Sequence, residues 1–378
     1  MPMERKNKER KVPVKKSKEF LFLLVFLLLP LSVASQEAEV SRLTLLFAGD
    51  IMGHDTQIES ARQVGDGRYD YTSCFRYVQP YISSADIAIG NLEVTFAGPP
   101  YKGYPAFSSP DALALAIRDA GFDVLVNANN HAIDRGKAGL ERTLDVLDSL
   151  GIIQTGVFRN PAERKTAYPL IIEKNNIRLA LLNYTYGTNG IRVTPPNIVN
   201  YIDTAQVRQD LEKASTARPD YTIVLMHWGL EYERTENRQQ RELAEFLLDH
   251  GADAIIGSHP HVVQPIRLYG DKLVVYSKGN MISNQRKRYT DGGILVDLTL
   301  EKSDSTRMTN FSYLPTWVHK ANTTKGTAFS LIPAAIDSSF FRSLLITAED
   351  ATAMKTFLED TRENLEGVPE RTLFPSLR

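Results

Sequence analysis

From Arg42 onward, short apolar runs alternate with segments of helical periodicity. Several of these runs are apolar at every position, which is the pattern of strands covered on both faces of a sheet. Strands that alternate with helices predict a layered α/β domain. The runs that predict strands are residues 43–48, 87–89, 124–126, 179–183, 222–226, 254–256, 273–276 and 294–298.

Cap and turn residues mark where the intervening helices begin and end. Ser109 followed by Pro110 predicts a helix with Ser109 as its N-cap, and Gly121 predicts its end. Near the C-terminus, Thr347 and Asp350 form a capping pattern that predicts another helix. Two more helices are predicted from apolar residues at helical spacing, namely Leu140, Leu144 and Leu147 before Gly151, and Leu243, Phe246 and Leu247 before Gly251.

This pattern divides the chain into three parts. Residues 42–320 hold the alternating strands and helices and are predicted to form one domain. Residues 321–378 have a different pattern and are predicted to be a partly helical C-terminal extension. Residues 1–35 are predicted to be a signal peptide or an N-terminal anchor.

The first 35 residues contain the three parts of a secretory signal peptide. A basic segment is followed by the uncharged residues 20–31 and by the small-residue stretch Ser32-Val33-Ala34-Ser35. We expect cleavage after Ser35. An uncleaved anchor is the alternative, although the apolar segment is shorter than the ~20 residues that span a bilayer. The protein is therefore predicted to be exported, as a periplasmic, extracellular or outward-facing membrane-anchored protein.

Charge and cysteine content exclude some classes of function. The chain has 44 Lys and Arg against 45 Asp and Glu, a net charge of -1. Residues 1–35 hold eight basic and three acidic residues (+5), so the remainder carries -1 - 5 = -6. Because binding to nucleic acid needs clustered positive charge, we expect no nucleic-acid partner. Cys74 is the only cysteine and cannot form an internal disulfide.

Polar residues that can bind metals follow five successive predicted strands. Because ligands of α/β sheets bind outside the carboxyl ends of the strands, these residues are expected to converge. Packing alone does not explain five such strand ends, although Asp50 alone could be a helix N-cap. The residues are Asp50, then Asn91 and Glu93, then Asn129, Asn130, His131 and Asp134, then His227, and finally His259 and His261.

The types of side chain indicate which metals the site would bind. Imidazole combined with carboxylate and amide oxygen suits Zn, Mn, Fe or Ni, and the absence of thiolates disfavours a structural zinc site. His259 and His261 can present two imidazoles from one loop. The alternative for this pair is two polar loop residues without a ligand.

Motifs around these residues resemble the CapA family of capsule and poly-γ-glutamate synthesis proteins, over about residues 43–300. That family is similar to the calcineurin-like metallophosphatases, which implies a four-layer αββα sandwich with a two-metal centre. The motifs are Gly49-Asp50-Ile51-Met52, Gly90-Asn91-Leu92-Glu93, Ala128-Asn129-Asn130-His131-Ala132-Ile133-Asp134, His227-Trp228-Gly229-Leu230-Glu231-Tyr232, Gly257-Ser258-His259-Pro260-His261-Val262 and Ser277-Lys278-Gly279-Asn280-Met281.

The resemblance implies a role for each residue. Asp50 and His261 would hold one divalent metal (Mn, Zn or Fe), and Asn130, His227 and His259 would hold a second. Glu93 would lie between the two metals, with Asn91 as a further candidate. The metallophosphatase Asp-x-His opening is replaced by Asp50-Ile51-Met52, so His54 is either a substitute imidazole or an ordinary loop residue.

His131 would be the proton donor to a leaving group. Asp134, three residues further on, is placed either to accept a hydrogen bond from the His131 ring or to cap a helix. A pure binding protein would have no need of an acid at this position.

Two functions are consistent with this site. One is a metal-dependent hydrolase of a phosphoester, or of an amide or ester in an exported anionic polymer, in which metal-activated water attacks and His131 protonates the leaving group. The other is a non-catalytic, polymer-binding subunit of a capsule synthesis and export complex. Membrane-bound capsule synthesis subunits are the expected protein partners in both cases.

Overall fold

The computed structural model describes residues 40–63, 67–324 and 326–374. The predicted signal segment, residues 1–35, lies outside these described residues. Within them, no helix is both long and apolar enough to cross a membrane. The fold is mixed α/β, as the alternating pattern predicts.

Sixteen strands are present in the described residues. They are β1 (Ser41–Ile51), β2 (Ile87–Leu92), β3 (Val124–Val126), β4 (Ile153–Thr155), β5 (Val157–Phe158), β6 (Leu170–Lys174), β7 (Ile177–Thr185), β8 (Ile198–Val199), β9 (Tyr221–His227), β10 (Ala254–Ser258), β11 (Ile266–Tyr269), β12 (Lys272–Val275), β13 (Asn280–Ile282), β14 (Gly292–Lys302), β15 (Thr306–Thr323) and β16 (Gly326–Pro333).

Ten α-helices and one 3₁₀ turn, Ser338–Phe340, are present in the same part of the chain. The helices are α1 (Asp55–Ala61), α2 (Thr72–Phe75), α3 (Gln79–Ile82), α4 (Asp111–Asp119), α5 (Gly136–Leu150), α6 (Pro161–Ala167), α7 (Thr204–Thr216), α8 (Arg238–Asp249), α9 (Phe341–Leu344) and α10 (Ala348–Asn364).

Most strands belong to one of two sheets. The larger has the order β16-β15-β14-β1-β2-β3-β4, and β13 also pairs with β1. The smaller has the order β11-β12-β10-β9-β7-β6. The neighbours β1, β2, β3 and β4 run parallel, and so do β7, β9, β10 and β12, so each sheet collects several strand ends at one edge.

Alternate residues of each sheet belong to different hydrophobic clusters, because successive side chains of a strand point to opposite faces. One cluster combines residues of both sheets, including Leu45 and Ile89 of the larger and Leu181 and Ile223 of the smaller. A second joins the larger sheet to α2, α3, α4 and α10. A third joins the smaller sheet to α7 and α8. Nearly continuous apolar strands are therefore needed in both sheets.

The eight runs predicted as strands all fall in strands, and only Tyr276 lies just outside, after β12. The Thr347 capping box, the end of α5 at Gly151 and the helix before Gly251 are also confirmed. The predicted N-cap role of Ser109 is wrong. The backbone N–H of Ser109 donates to the Thr95 carbonyl (2.9 Å), which keeps Ser109 in the preceding extended segment and leaves Pro110 as the N-cap of α4.

The expected boundary between residues 320 and 321 falls inside β15. This strand and β16 form the edge of the larger sheet, so the chain after residue 320 first completes that sheet. Only then does it reach α9 and α10. The residues Met354, Phe357 and Leu358 of α10 pack into the cluster of the larger sheet.

The close approach of Gly49 to Gly279 gives a testable prediction. A Cβ on Gly49 would lie 2.0 Å from the carbonyl oxygen of Gly279, where the backbone cannot easily move away because Asp50 donates to that same oxygen. Gly49→Ala should lower the free energy of unfolding by about 1–3 kcal/mol, as overpacking does, measured by urea denaturation. Gly187→Ala is the control, because its Cβ would meet nothing within 4 Å. Equal urea midpoints for both variants would contradict this packing.

Candidate metal centre

The ends of parallel strands from both sheets bring the site residues together. Asp50 is the last residue but one of β1 and pairs in register with Asn91 of β2, and Glu93 follows directly after that strand. In the smaller sheet, His227 ends β9 beside Ser258 of β10, which leads into His259 and His261. All six proposed ligands are buried: Asp50, Glu93, Asn130, His227, His259 and His261.

Asp50 is held by three neighbours. Its Oδ1 accepts a hydrogen bond from the Asn91 amide (2.7 Å), and its Oδ2 lies 3.1 Å from Nδ1 of His261 and accepts from the His259 backbone N–H (3.3 Å). Burial alone would raise the pKa of Asp50, but His261, His227 and Asn91 together outweigh it and the pKa lies below the ordinary value. Asp50 is therefore an ionised carboxylate at the centre of the site. It caps no helix, since α1 begins at Asp55.

Glu93 has the opposite environment. Burial and the neighbouring charge of Asp50 hold the pKa of Glu93 well above its ordinary value. Its Oε1 has no hydrogen-bond partner among the described residues, although Nε2 of His227 lies at 3.7 Å and Nε2 of His261 at 3.8 Å. A buried carboxylate oxygen that faces two imidazoles without bonding to either is placed to bind a cation.

The imidazoles of His227 and His259 form a second set of ligands beside Glu93, with their ring centroids 4.8 Å apart. Nε2 of His227 is 2.7 Å from Oδ1 of Asn130, and Nδ1 of His259 is buried without a hydrogen-bond partner in the described part of the chain. Burial lowers the pKa of His227, and it lowers the pKa of His259 to about 3. Both rings are therefore neutral at pH 7, which is the form that binds metals.

The ligand atoms form two groups that share Glu93. One group is Asp50, Glu93 and His261, and the other is Glu93, His227 and His259; within each, the ligand atoms lie within 4.8 Å of one another. This is the division that the family resemblance implies, with Asn130 beside the second group. Two unpartnered buried atoms, neutral imidazoles and adjacent carboxylates together fit divalent metal ions.

The loop that carries two of the imidazoles is strained. His259 has φ 100° and His261 has φ 58°, values that are uncommon for residues with a side chain. The hydrogen bonds that the Asp50 carboxylate accepts from both residues hold the loop in this conformation. Strain of this kind persists only where surrounding contacts over-determine the backbone, as they do at this strand end.

His131 lies beside the two groups without belonging to either. Its Nδ1 is 2.8 Å from Oδ2 of Asp134, and the same oxygen accepts the Phe107 backbone N–H at 2.7 Å. The Phe107 ring packs edge-on against the His131 ring, 4.7 Å between centroids. The helix-cap alternative for Asp134 is wrong, because α5 begins at Gly136 with Arg135 as its N-cap. Asp134 instead fixes the His131 ring and leaves Nε2 available.

Two residues near the site, Asn280 and Lys278, have roles that the motifs alone did not assign. Oδ1 of Asn280 lies 3.1 Å from Nδ1 of His261, and Asn280 pairs with Asp50 through β13 and β1. Nζ of the buried Lys278 donates to the Gly257 carbonyl (2.7 Å) and to Oγ of Ser258 (2.9 Å). Burial lowers the pKa of Lys278 to about 8, although Asp50 opposes this shift. The sequence motif 277–281 includes both residues, but the sequence could not show which residues they contact.

The contacts of His54 and Asn91 decide the roles of these two further candidates. Nδ1 of His54 lies 3.1 Å from Oε1 of Gln57 at the start of α1, and His54 belongs to neither ligand group. The Asn91 amide donates to Asp50 and, at 3.3 Å, to Oε2 of Glu93. Asn91 therefore orients both carboxylates.

Comparison of the sequence with known proteins finds a family of capsule synthesis proteins and relatives named for capsule or PGA biosynthesis. Residues 44–285, more than half of the chain, match the family described as bacterial capsule synthesis protein PGA_cap. The chain is 31% identical over 301 residues to the PGA biosynthesis protein CapA of Bacillus subtilis, covering 74% of this chain and 72% of that protein. It is 29% identical over 277 residues to the capsule biosynthesis protein CapA of Bacillus anthracis, covering 69% and 65%.

Comparison of the structure finds more distant similarity. The calcineurin-like phosphoesterase YfkN of Bacillus subtilis has a TM-score of 0.43 at 16% identity, covering 86% of this chain and 98% of that one. The NAD nucleotidase NadN of Haemophilus influenzae has a TM-score of 0.45 at 16% identity, covering 86% and 60%.

Glu93 gives a prediction about metal binding. Because its pKa is raised well above the ordinary value, the metal-free protein should hold a proton on Glu93 at a pH where an ordinary glutamate is ionised, and release it when a divalent metal binds. The neutral His227 and His259 should release none. Calorimetric titration with Mn²⁺ in buffers of different ionisation enthalpy should show release of about one proton per protein.

The matched variants separate Glu93 from its neighbours. Glu93→Gln should abolish the dependence on buffer, and Glu231→Gln, which changes an exposed carboxylate next to the site, should preserve it. A binding enthalpy that is independent of buffer in the unmodified protein would show that Glu93 is already ionised.

Proposed function

Because the chain belongs to the family of bacterial capsule synthesis proteins PGA_cap, we propose that it is an exported, metal-dependent hydrolase acting on an anionic capsule polymer of the poly-γ-glutamate type. The observation that carries this proposal is the pair of buried ligand groups sharing Glu93, with the His131–Asp134 pair beside them. The names of the two Bacillus relatives support the class of polymer.

The proposal includes the four-layer αββα arrangement of the metallophosphatase type. It is supported by the three clusters of the core, one combining both sheets and two joining a single sheet to helices. In such an arrangement the strand ends of both sheets meet at one edge, where Asp50 and His227 lie.

We assign Asp50, Glu93 and His261 to one divalent metal, and Glu93, His227, His259 and Asn130 to a second. Such ions, when bound, polarise the scissile group and make water a better nucleophile at neutral pH. The chain supplies the remaining functions. Asn91 orients the two carboxylates, and Asn280 and Asp50 fix the His261 ring through Nδ1.

Protonation of the leaving group is assigned to His131. Hydrolysis breaks the bond between the carbonyl carbon and the leaving nitrogen, and that nitrogen must gain a proton as water adds to the carbon. Asp134 occupies Nδ1 of His131, so Nε2 is the nitrogen that can deliver this proton. The Phe107 ring and backbone hold the pair in place.

A non-catalytic polymer-binding subunit is the second candidate. The observation that favours it is a rim of partly exposed aromatic side chains next to the site, including Tyr104, Tyr186 and Tyr232, which offers a surface for a chain. Both candidates would act with membrane-bound capsule synthesis subunits. Only the hydrolase needs the His131–Asp134 pair.

Replacing His131 separates catalysis from metal binding. His131→Ala should leave the metal content unchanged and reduce turnover by roughly 10²–10⁴, the usual effect of losing a general acid. Metal content would be measured by mass spectrometry, and turnover on γ-glutamyl oligomers and on bis(4-nitrophenyl) phosphate.

Two histidine variants serve as references for this experiment. His259→Ala should lose metal, whereas His250→Ala, which removes a ring bonded to the Phe246 carbonyl on α8, should lose neither metal nor turnover. If His131→Ala loses metal, His131 is a ligand and its assignment as the acid is wrong. If the unmodified, metal-loaded protein binds γ-glutamyl oligomers without cleaving them, the binding subunit is the correct function.

A further inference from the structure

The basic segment Arg286-Lys287-Arg288 lies near the candidate site, and two of its three side chains already make hydrogen bonds within the protein. The Arg286 guanidinium donates to the Val318 carbonyl (2.7 Å). Arg288 makes two hydrogen bonds to the Asp360 carboxylate, at 2.8 and 3.0 Å. These two side chains tie the segment to β15 and α10.

Lys287 differs from both neighbours. It is exposed, and in the part of the chain that the structure describes it makes no ion pair. Its Nζ lies 4.6 Å from the centroid of the Tyr232 ring, a cation–π contact that limits the positions of the ammonium group without neutralising its charge. The charge therefore stays available to an anion.

Tyr232 connects Lys287 to the metal centre. Its ring centroid lies 6.2 Å from that of His261, and its backbone N–H donates to the Pro260 carbonyl (2.8 Å). Tyr232 has φ 71°, an outlier for a bulky residue, so this position is held at an energetic cost. The strained backbone places the ring, and with it the Lys287 ammonium, on the His261 side of the site.

The cleft beside His259 has different chemistry. A cleft of about 470 Å³ adjoins His259, and the described residues that line it include no lysine or arginine. Its lining combines apolar side chains and amides with one carboxylate, Glu231, and the Tyr186 ring lies 4.5 Å from the His259 ring. An anionic group placed in this cleft would meet Glu231 and no cationic side chain of the lining, whereas one beside Tyr232, which Glu231 also contacts, would meet the Lys287 ammonium.

We propose that Lys287, positioned over Tyr232, is a subsite that binds a carboxylate of the polymer next to the group bound at the metal centre. The inference rests on the proposed function for the position of the substrate. It deepens that function, because it assigns the residue that distinguishes a polyanion from a neutral chain. It also orients the chain, with a carboxylate on the His261 side and the uncharged part of the backbone toward the cleft.

Direct binding measurements test the subsite without relying on turnover. The affinity of the Mn²⁺-loaded protein for a γ-glutamyl oligomer would be measured by calorimetry at low salt. Lys287→Met should weaken it about three- to tenfold, the range expected for one partly exposed charge contact. The difference should shrink at 0.5 M salt, because screening acts strongly on exposed charges. An oligomer with amidated α-carboxylates should bind both proteins equally.

The control variant is Lys165→Met. Lys165 is an exposed lysine on α6, and its carbonyl accepts a hydrogen bond from the Lys213 ammonium near the end of α7. Helix α7 leads into the start of β9, which is the opposite end of that strand from His227. This variant loses the same charge far from the site and should bind as the unmodified protein does. If Lys287→Met binds the acidic oligomer as tightly as Lys165→Met, the subsite is wrong.

The same experiment separates this inference from the proposed hydrolysis. An unmodified protein that binds the oligomer in a Lys287-dependent manner without cleaving it overturns the hydrolase and supports the subsite. A protein that cleaves the oligomer, with no effect of Lys287→Met on affinity or KM, overturns the subsite alone.

Discussion

Burial of two adjacent carboxylates, Asp50 and Glu93, is the constraint on which the rest of the structure depends. Removing an ionised carboxylate from water is costly unless it is paired and hydrogen-bonded. Asp50 meets this requirement through His261, the Asn91 amide and the His259 backbone. Glu93 does not, since its Oε1 has no partner among the described residues. The fold thus compensates the ionised Asp50, and it raises the pKa of Glu93, so that an ionised Glu93 needs a cation beside it.

This constraint explains why backbone strain and tight packing occur where they do. His259 and His261 take left-handed backbone conformations next to Asp50, and Gly49 allows β1 to approach Gly279 at the same edge. The two sheets must converge closely enough for His227 to face Glu93. The strained backbone at this edge lowers the stability of the fold. Apolar strands such as β7 and β9, which are buried along most of their length, compensate for it.

The environment of the two carboxylates also separates the functional parts of the site. Neutral imidazoles on one side of Glu93 and an ionised carboxylate on the other give two groups of different charge. Lys278 adds a buried positive charge below the loop of His259 and His261, without being directed at the ligand atoms. The His131–Asp134 pair lies outside both groups, so proton transfer and metal binding are carried by separate side chains.

The sequence alone determined eight of the sixteen strands in the described part of the chain, the ends of α5 and α8, the start of α10 and the polar residues of the candidate site, because hydrophobic period and cap residues are local properties. It also indicated that the ends of successive strands would converge, since parallel strands share an edge. Local pattern could not assign Asn91 or Lys287, because their contacts with Asp50 and Tyr232 are far away in the chain. The roles of Asp134 and His54 are settled by nearby residues, His131 and Gln57, but by side-chain geometry that residue types leave open. It placed a boundary at residue 320 that falls inside β15, since pairing with β14 and β16 depends on residues outside that strand. Tertiary structure alone decided which of the polar residues face one another, because that depends on how two separate sheets pack.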